Sequence, residues 1–386
     1  LADWAGLPRA RWTRIEEFFD DLNERSAELP VWSGEIYLEY HRGVHTTHRA
    51  LKAAFRGLER SLQVAEAVAA TTGRFPDLQA DWRRMIFAQF HDYIPGSSIH
   101  EVYQEGIPEL EGIADRLAGD ASAGLEQADS DSPSTEPCLF NPHGIPRVCP
   151  VEGEPGGRLL TLPPYSGVAL AGARPLATDE AVAVSGLTLS NNRVQASFHE
   201  DGSLASLMVD GRHLALDGPA VDLRLFRDNP VKYPAWEIDR HSLSQSAPAW
   251  GPVDRTVLGE GPLAGGLAFT RRIGKSSTVR TCYRLEAGQA CLYIRFEIDW
   301  QDPEHLLKVI LPTRYRGRMV RYGSGFGSVL RDQLTGTLSV EAQFEVAASR
   351  WVAISDDAES EGLWLATRDT YGFGARAGPL HASILD

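Results

Sequence analysis

An imidazole and a carboxylate stand side by side at His91 and Asp92, inside the stretch QFHDYIPGSS (89–98). Neutral imidazole is the commonest nitrogen ligand for zinc, and an adjacent carboxylate can hold ligand hydroxyls. One histidine does not make a metal site, because catalytic zinc uses three or four such donors and an open position. From the residues alone the other reading stays open: His91 caps a helix C-terminus and Asp92 pairs with a nearby base. Two further groupings compete. His41, His45 and His48 recur at steps of four and three, which a continuous helix would gather on one face; Gly43 argues against such a helix, so surface or packing roles are expected. Glu35 and Glu39 lie on an extended segment and share a side, and paired carboxylates suit glycoside chemistry. Farther on, Tyr233, Trp236, Glu237 and Asp239 stand beside residues 228–230. Sugars offer an apolar face to aromatic rings and hydroxyls to carboxylates, so this composition fits a glycan-facing loop and ordinary core packing equally well. Gly323, Gly325 and Gly327 alternate but open no helix, which argues against a nucleotide loop.

The elements that must position His91 and Asp92 are helical. Leu51, Phe55, Leu58, Leu62, Ala65 and Ala69 alternate steps of four and three, which predicts one apolar stripe on a helix over 46–72. A second helix is expected over 77–90, with Trp82, Ile86 and Phe90 on its apolar face. A third should run from 99 towards 125, opened by a Ser98/Glu101 capping box and kinked or restarted at Pro108. Joined by short Gly/Pro loops, these predict an antiparallel three-helix bundle over 30–128.

A polar, Pro/Ser-rich linker follows at 129–136, and the period then changes to two. Leu292, Ile294, Phe296, Ile298 and Trp300 alternate with polar neighbours, and a turn at Ala287–Gly288 would place Val279, Thr281 and Tyr283 opposite Phe296, Ile294 and Leu292. A second hairpin is signalled by 194–198 and 204–209 around Asp201–Gly202. The fold expected is multidomain α+β: the bundle, then an all-β region with a small β domain over 137–178 and a large β-sandwich over 179–386.

Bulk properties narrow the classes. The chain has 386 residues and a net charge of −14, from 52 acidic against 38 basic residues. With no Lys/Arg block, attraction to nucleic acid is not expected. No apolar run reaches the roughly 18 residues that span a bilayer, so a membrane partner is not expected either. Cys138, Cys149, Cys282 and Cys291 are too few and scattered for a disulfide framework, and the hairpin above would set Cys282 opposite Tyr293, diagonal to Cys291. Reduced thiols and a cytoplasmic location are expected. The first residue is Leu, with no basic-then-apolar leader, which suggests that part of a longer polypeptide lies upstream.

Read in order, WSGEIYLEYHRGVHTT (32–47), a long helix and QFHDYIPGSSIHEVY (89–103) resemble glycoside hydrolase family 38, the α-mannosidases. CLFNPHGIPR (138–147), RLFRDNPVKYPAWEID (224–239), DWQDPEHLLKVILP (299–312) and YGSGFGSVLR (322–331) extend the likeness over nearly the whole chain, more loosely in the β half. The resemblance implies that His91 is a zinc ligand and that Asp92 contacts hydroxyls of bound mannose. It puts no metal at His41, His45 or His48. It implies that the remaining zinc ligands, the nucleophilic aspartate and the general acid belong to an N-terminal catalytic domain, of which residues 1–29 resemble the very end. Glu35 and Glu39 would then serve the interface with that domain. The intact enzyme would hydrolyse terminal α-mannosides of glycans with retention, through two carboxylates about 5–5.5 Å apart. This chain would contribute one ligand and one substrate-binding acid, be inactive alone, and expose faces able to self-associate. Two rival readings are a non-catalytic carbohydrate-binding or interaction module and the β-sandwich portion of another glycosidase family.

Overall fold

The computed structural model describes residues 5–130, 136–153, 156–249, 251–334, 336–376 and 380–385. Most of the expected linker, and residues 1–4, lie outside the described residues. The chain divides into a short unit, 1–38, and a large one, 39–386. The short unit holds helix α1 (Ile15–Glu24) and a 3-10 turn at Ser26–Glu28. Ile15, Phe18 and Phe19 share one stripe of α1, yet each is more than half exposed.

The large unit is α+β. It opens on a 3-10 turn, Arg42–His45, preceded by His41 at φ 67°; His48, at φ 53°, then precedes α2 (Arg49–Thr72). These left-handed residues break the chain on both sides of the turn, so the three histidines share no helical face. Helices α3 (Gln79–Phe87) and α4 (His100–Ser130) follow. Leu51, Phe55, Leu58 and Leu62 of α2 meet Met85 of α3 and Tyr103, Leu110 and Leu117 of α4 in one core. The α2 stripe is the one its spacing predicts. The α3 stripe is not: Ile86 and Phe90 are 61% and 55% exposed, while Met85 and Ala88 are buried. Helix α3 stops at Phe87, so Phe90 lies beyond it and off its face. Pro108 neither ends nor restarts α4, which runs through it. The N–H of Ser98, which a capping box would give to Glu101, is taken by the Tyr103 hydroxyl at 2.6 Å.

The small β region pairs Cys138–Asn141 with Ser166–Ala169, and Arg147–Val151 with Arg158–Leu162 and then Arg174–Pro175. Asn141, almost fully buried, ties it together: its Nδ2 donates to the carbonyls of Ile145 (2.8 Å) and Pro163 (3.0 Å), and its Oδ1 accepts the His143 N–H.

Beyond it, among the described residues, lie four antiparallel sheets, a 3-10 turn at Arg240–Ser244 and one short α-helix, α5 (Leu338–Ala342), which the sequence did not signal. A six-stranded sheet is centred on His305–Leu311, between Asp222–Arg227 and Leu380–Leu385. The hairpin of Val194–Phe198 with Leu204–Val209 forms as expected around Gly202. The other hairpin differs by two residues: in the pairing of Ser277–Glu286 with Tyr293–Asp299, Thr281 faces Phe296 and Cys282 faces Arg295. Asn191 explains the shift. Its amide donates to the carbonyls of Glu286 (2.9 Å) and Gln289 (3.0 Å), which holds the connection open instead of letting it close at Ala287–Gly288. A shift of two keeps every side chain on its face, so the apolar pattern could not reveal it. All four cysteines are free thiols.

Asp302 pins this hairpin to the strand that follows. Its buried carboxylate accepts the Ser277 hydroxyl (2.6 Å) and the N–H groups of Lys275, Ser276 and Ser277 (2.7–3.1 Å), which hold it well below the usual carboxylate range. Asp302→Ala should therefore cost about 3 kcal/mol at pH 7, since it leaves three backbone donors without their acceptor. Because the folded-state pKa is depressed, the contribution is present above the unfolded carboxylate pKa and fades as pH falls below it. Urea titrations at pH 7 and pH 3 should show a smaller difference from wild type at the lower pH.

Candidate functional site

The turn that carries His91 and Asp92 is held through its backbone. Past α3 the chain winds through tight turns, with the Tyr93 N–H donating to Phe90 O at 2.8 Å and the Gly96 N–H to Tyr93 O at 3.1 Å. The Asp92 carbonyl accepts the Ser98 hydroxyl (2.6 Å) and the Tyr103 hydroxyl (3.2 Å). The buried Lys52 ammonium donates to the carbonyls of Ile94 (3.0 Å), Pro95 (3.2 Å) and Thr47. Gly96, at φ +93°, lies so close that a Cβ there would sit 2.8 Å from Thr47 O. Only glycine accepts both that conformation and that approach.

With the backbone fixed, the side chains are free to face outward. The His91 ring is 77% exposed, and its Nε2 lies 3.3 Å from Asp92 Oδ2. Asp92 Oδ1 is 3.4 Å from the Ser97 hydroxyl, and the Phe90 ring flanks His91 at 4.3 Å between centroids. Ile86, Phe87, Phe90 and Ile99 are exposed apolar residues on the same stretch of chain. Chemically, the pair can offer one neutral nitrogen donor and a carboxylate able to accept hydroxyls. Among the described residues, no group of three or more His, Cys, Asp or Glu could hold a metal ion. The donors therefore fit part of a zinc coordination sphere and do not complete one.

The other candidates fall in different places. Glu35 lies in the short unit and Glu39 at the start of the large one, both exposed. His48 stacks on Tyr103 at 4.0 Å, and burial together with nearby Lys52 and His100 lowers its pKa. His45, half-buried at the end of the Arg42–His45 turn, has its pKa pulled to about 4 by desolvation. His41 packs on Trp236 at 4.6 Å. Glu237 is buried in an ion pair with Arg42 at 3.1 Å and accepts the backbone N–H groups of His41 (3.1 Å) and Ile238 (3.0 Å). The Gly43 N–H donates to Trp236 O at 2.9 Å, so segments 41–48 and 233–238 form one joint around the buried Arg42 and Glu237. Sequence reasoning missed the supports Lys52, Ser98 and Tyr103. Their one signal was a lysine beside Leu51, next to an otherwise apolar stripe.

Comparison with known proteins decides the family. A family profile described as the glycosyl hydrolases family 38 C-terminal domain matches residues 189–385, more than half of the chain. The chain belongs to glycosyl hydrolase family 38. The alpha mannosidase middle domain profile of such enzymes matches residues 39–126, which include His91 and Asp92. This family 38 chain is 30% identical to Alpha-mannosidase 2C1 of Homo sapiens over 413 residues, covering all of this chain and 39% of that protein. It is 23% identical to an Alpha-mannosidase of Saccharomyces cerevisiae, over 96% of this chain and 35% of that protein. The crystal structure of an alpha-mannosidase from Enterococcus faecalis V583 shares the fold, with a TM-score of 0.70 and 13% identity over 95% of this chain and 55% of that one. The chain thus spans about two-fifths of the length of these curated relatives. Membership in family 38 displaces the reading as part of another glycosidase family. Among the described residues, no helix is long and apolar enough to cross a membrane.

Proposed function

We propose that this chain is the C-terminal portion of a zinc-dependent retaining α-mannosidase that removes terminal α-mannosides from glycans in the cytoplasm. On this reading α2, α3 and α4 act as a three-helix bundle whose end presents His91 as a zinc ligand through Nε2 and Asp92 as the acceptor of mannose hydroxyls. The observation that carries it is the turn itself. Lys52, Ser98 and Tyr103 fix its backbone, yet the His91 ring is left exposed and the Asp92 carboxylate half-exposed beside it, which is the preorganisation a binding site needs. Zinc, when bound, would supply a Lewis acid that grips vicinal sugar hydroxyls. The catalytic domain implied by the resemblance would supply the other ligands and both catalytic carboxylates. The exposed Phe87 and Phe90 beside the pair suit a surface that such a domain covers.

The protein as it stands tests this. The 386-residue chain should bind zinc weakly and leave an aryl α-mannoside intact, because one ligand cannot fix the ion and the resemblance assigns the nucleophile to the N-terminal catalytic domain. Turnover that His91→Ala abolishes would overturn the assignment, since the catalytic centre would then lie within the chain. The rival, a non-catalytic carbohydrate-binding module, predicts glycan binding with no response to zinc.

A further inference from the structure

The joint between the helical and β parts carries a group of rings that the zinc reading leaves unused. Trp236 is half-buried, with the His41 ring 4.6 Å and the Tyr233 ring 6.4 Å from it, the Tyr233 and Trp236 ring planes 31° apart. Tyr233 is 62% exposed. Both flanking residues are strained. Tyr233 has φ 58° and His41 has φ 67°, left-handed values that cost a non-glycine residue about 1 kcal/mol or more. The surroundings over-determine them. Tyr233 O accepts the N–H groups of Trp236 (2.8 Å) and Glu237 (2.9 Å), and the His41 N–H goes to buried Glu237. Asp239 closes the loop by accepting the Val231 N–H at 2.8 Å. A core needs no strained, exposed tyrosine. Strain held in place by a buried ion pair beside exposed aromatic rings is the mark of a preorganised binding surface.

This surface adjoins the turn of His91 and Asp92 through Thr47. Thr47 O packs against Gly96, while the Thr47 hydroxyl donates to Ala235 O at 3.2 Å, next to Trp236. We propose that Tyr233 and Trp236, with His41 at their edge, form a sugar-binding platform for a mannose residue adjoining the terminal one in the glycan. The rings would receive the apolar face of the pyranose, and the Tyr233 phenol and His41 imidazole its hydroxyls. The proposal rests on the mannoside reading above and extends it to the part of the substrate beyond the scissile sugar.

Fluorine NMR of the 386-residue chain labelled with 5-fluorotryptophan tests it, the Trp236 signal being assigned by its loss in Trp236→Phe. Titration with α-linked mannobiose should shift that signal saturably, and maltose should not. Tyr233→Ala, at an exposed position that leaves the Glu237 anchor in place, should weaken mannobiose binding about ten-fold. No shift with mannobiose, an equal shift with maltose, or an unchanged affinity in Tyr233→Ala would each overturn the platform. His91→Ala should leave the titration unaltered, so the platform and the zinc ligand fail separately.

Discussion

In the full-length enzyme, His91→Ala is expected to lose bound zinc and α-mannosidase activity together, with activity falling at least about 100-fold. A group that only orients a metal ligand typically accounts for 10–100-fold, and a ligand should account for more. The structure makes this substitution unusually clean. The imidazole is 77% exposed and supports nothing in the core, while the turn is held through the Asp92 carbonyl and the Ile94 and Pro95 carbonyls. The midpoint of thermal unfolding measured without metal should therefore stay where it is. Asp92→Asn separates the two roles: it keeps the backbone contacts and should retain zinc, while the loss of a charged acceptor for sugar hydroxyls raises KM and lowers kcat. Metal content by atomic emission and initial rates on an aryl α-mannoside give both readouts. A His91→Ala enzyme that kept its zinc stoichiometry would remove His91 from the ligand set.

How much of this was legible in the sequence depends on whether a residue acts locally or at a distance. Leu51, Phe55, Leu58 and Leu62 repeat at helical spacing and are buried together, because a period is a local property. That His91 and Asp92 stand at a helix end was also readable, since the apolar spacing of the second helix stops before them. Lys52 was opaque. Its three carbonyl partners come from residues 47, 94 and 95, and only the folded chain brings them together. Asn191 sets the register of a hairpin some 90 residues away, and periodicity is blind to a slip of two. Ile86 and Phe90 matched an apolar stripe and are nevertheless exposed. Periodicity reports which residues share a face and not what covers it. The aromatic group of Tyr233 and Trp236 could be read as core or as binding loop from composition alone, and the left-handed backbones of Tyr233 and His41 now favour the second.

The largest stability effect should come from Lys308→Met. Lys308 and Glu345 form an ion pair with almost no exposure, on a central strand of the six-stranded sheet and the segment beside Val346, and the ammonium lies 5.5 Å from the centre of the Phe226 ring. Methionine keeps much of the volume and deletes the charge, so the buried Glu345 carboxylate loses its ion pair with Lys308, at a cost of about 3 kcal/mol. Replacing both partners, as Lys308→Met with Glu345→Leu, should recover most of that loss, because neither desolvation penalty remains. The pH dependence identifies the charge responsible. In the wild type, burial holds His45 neutral with a pKa of about 4, against 6.5 for the free side chain, and Glu345 is the neighbour that raises it. Unfolded chains therefore take up a proton that the folded one refuses between pH 6.5 and 4, and stability should fall by roughly 3 kcal/mol as pH drops through that window. In Lys308→Met one positive charge is lost beside Glu345, the neighbour that raises the pKa of His45, so the folded variant accepts that proton more readily on His45. Denaturant titrations at pH 7.5 and pH 5 should then show the gap between wild type and variant closing at the lower pH. A gap independent of pH would mean that the lost stability comes from packing around Lys308 and not from the broken charge pair with Glu345.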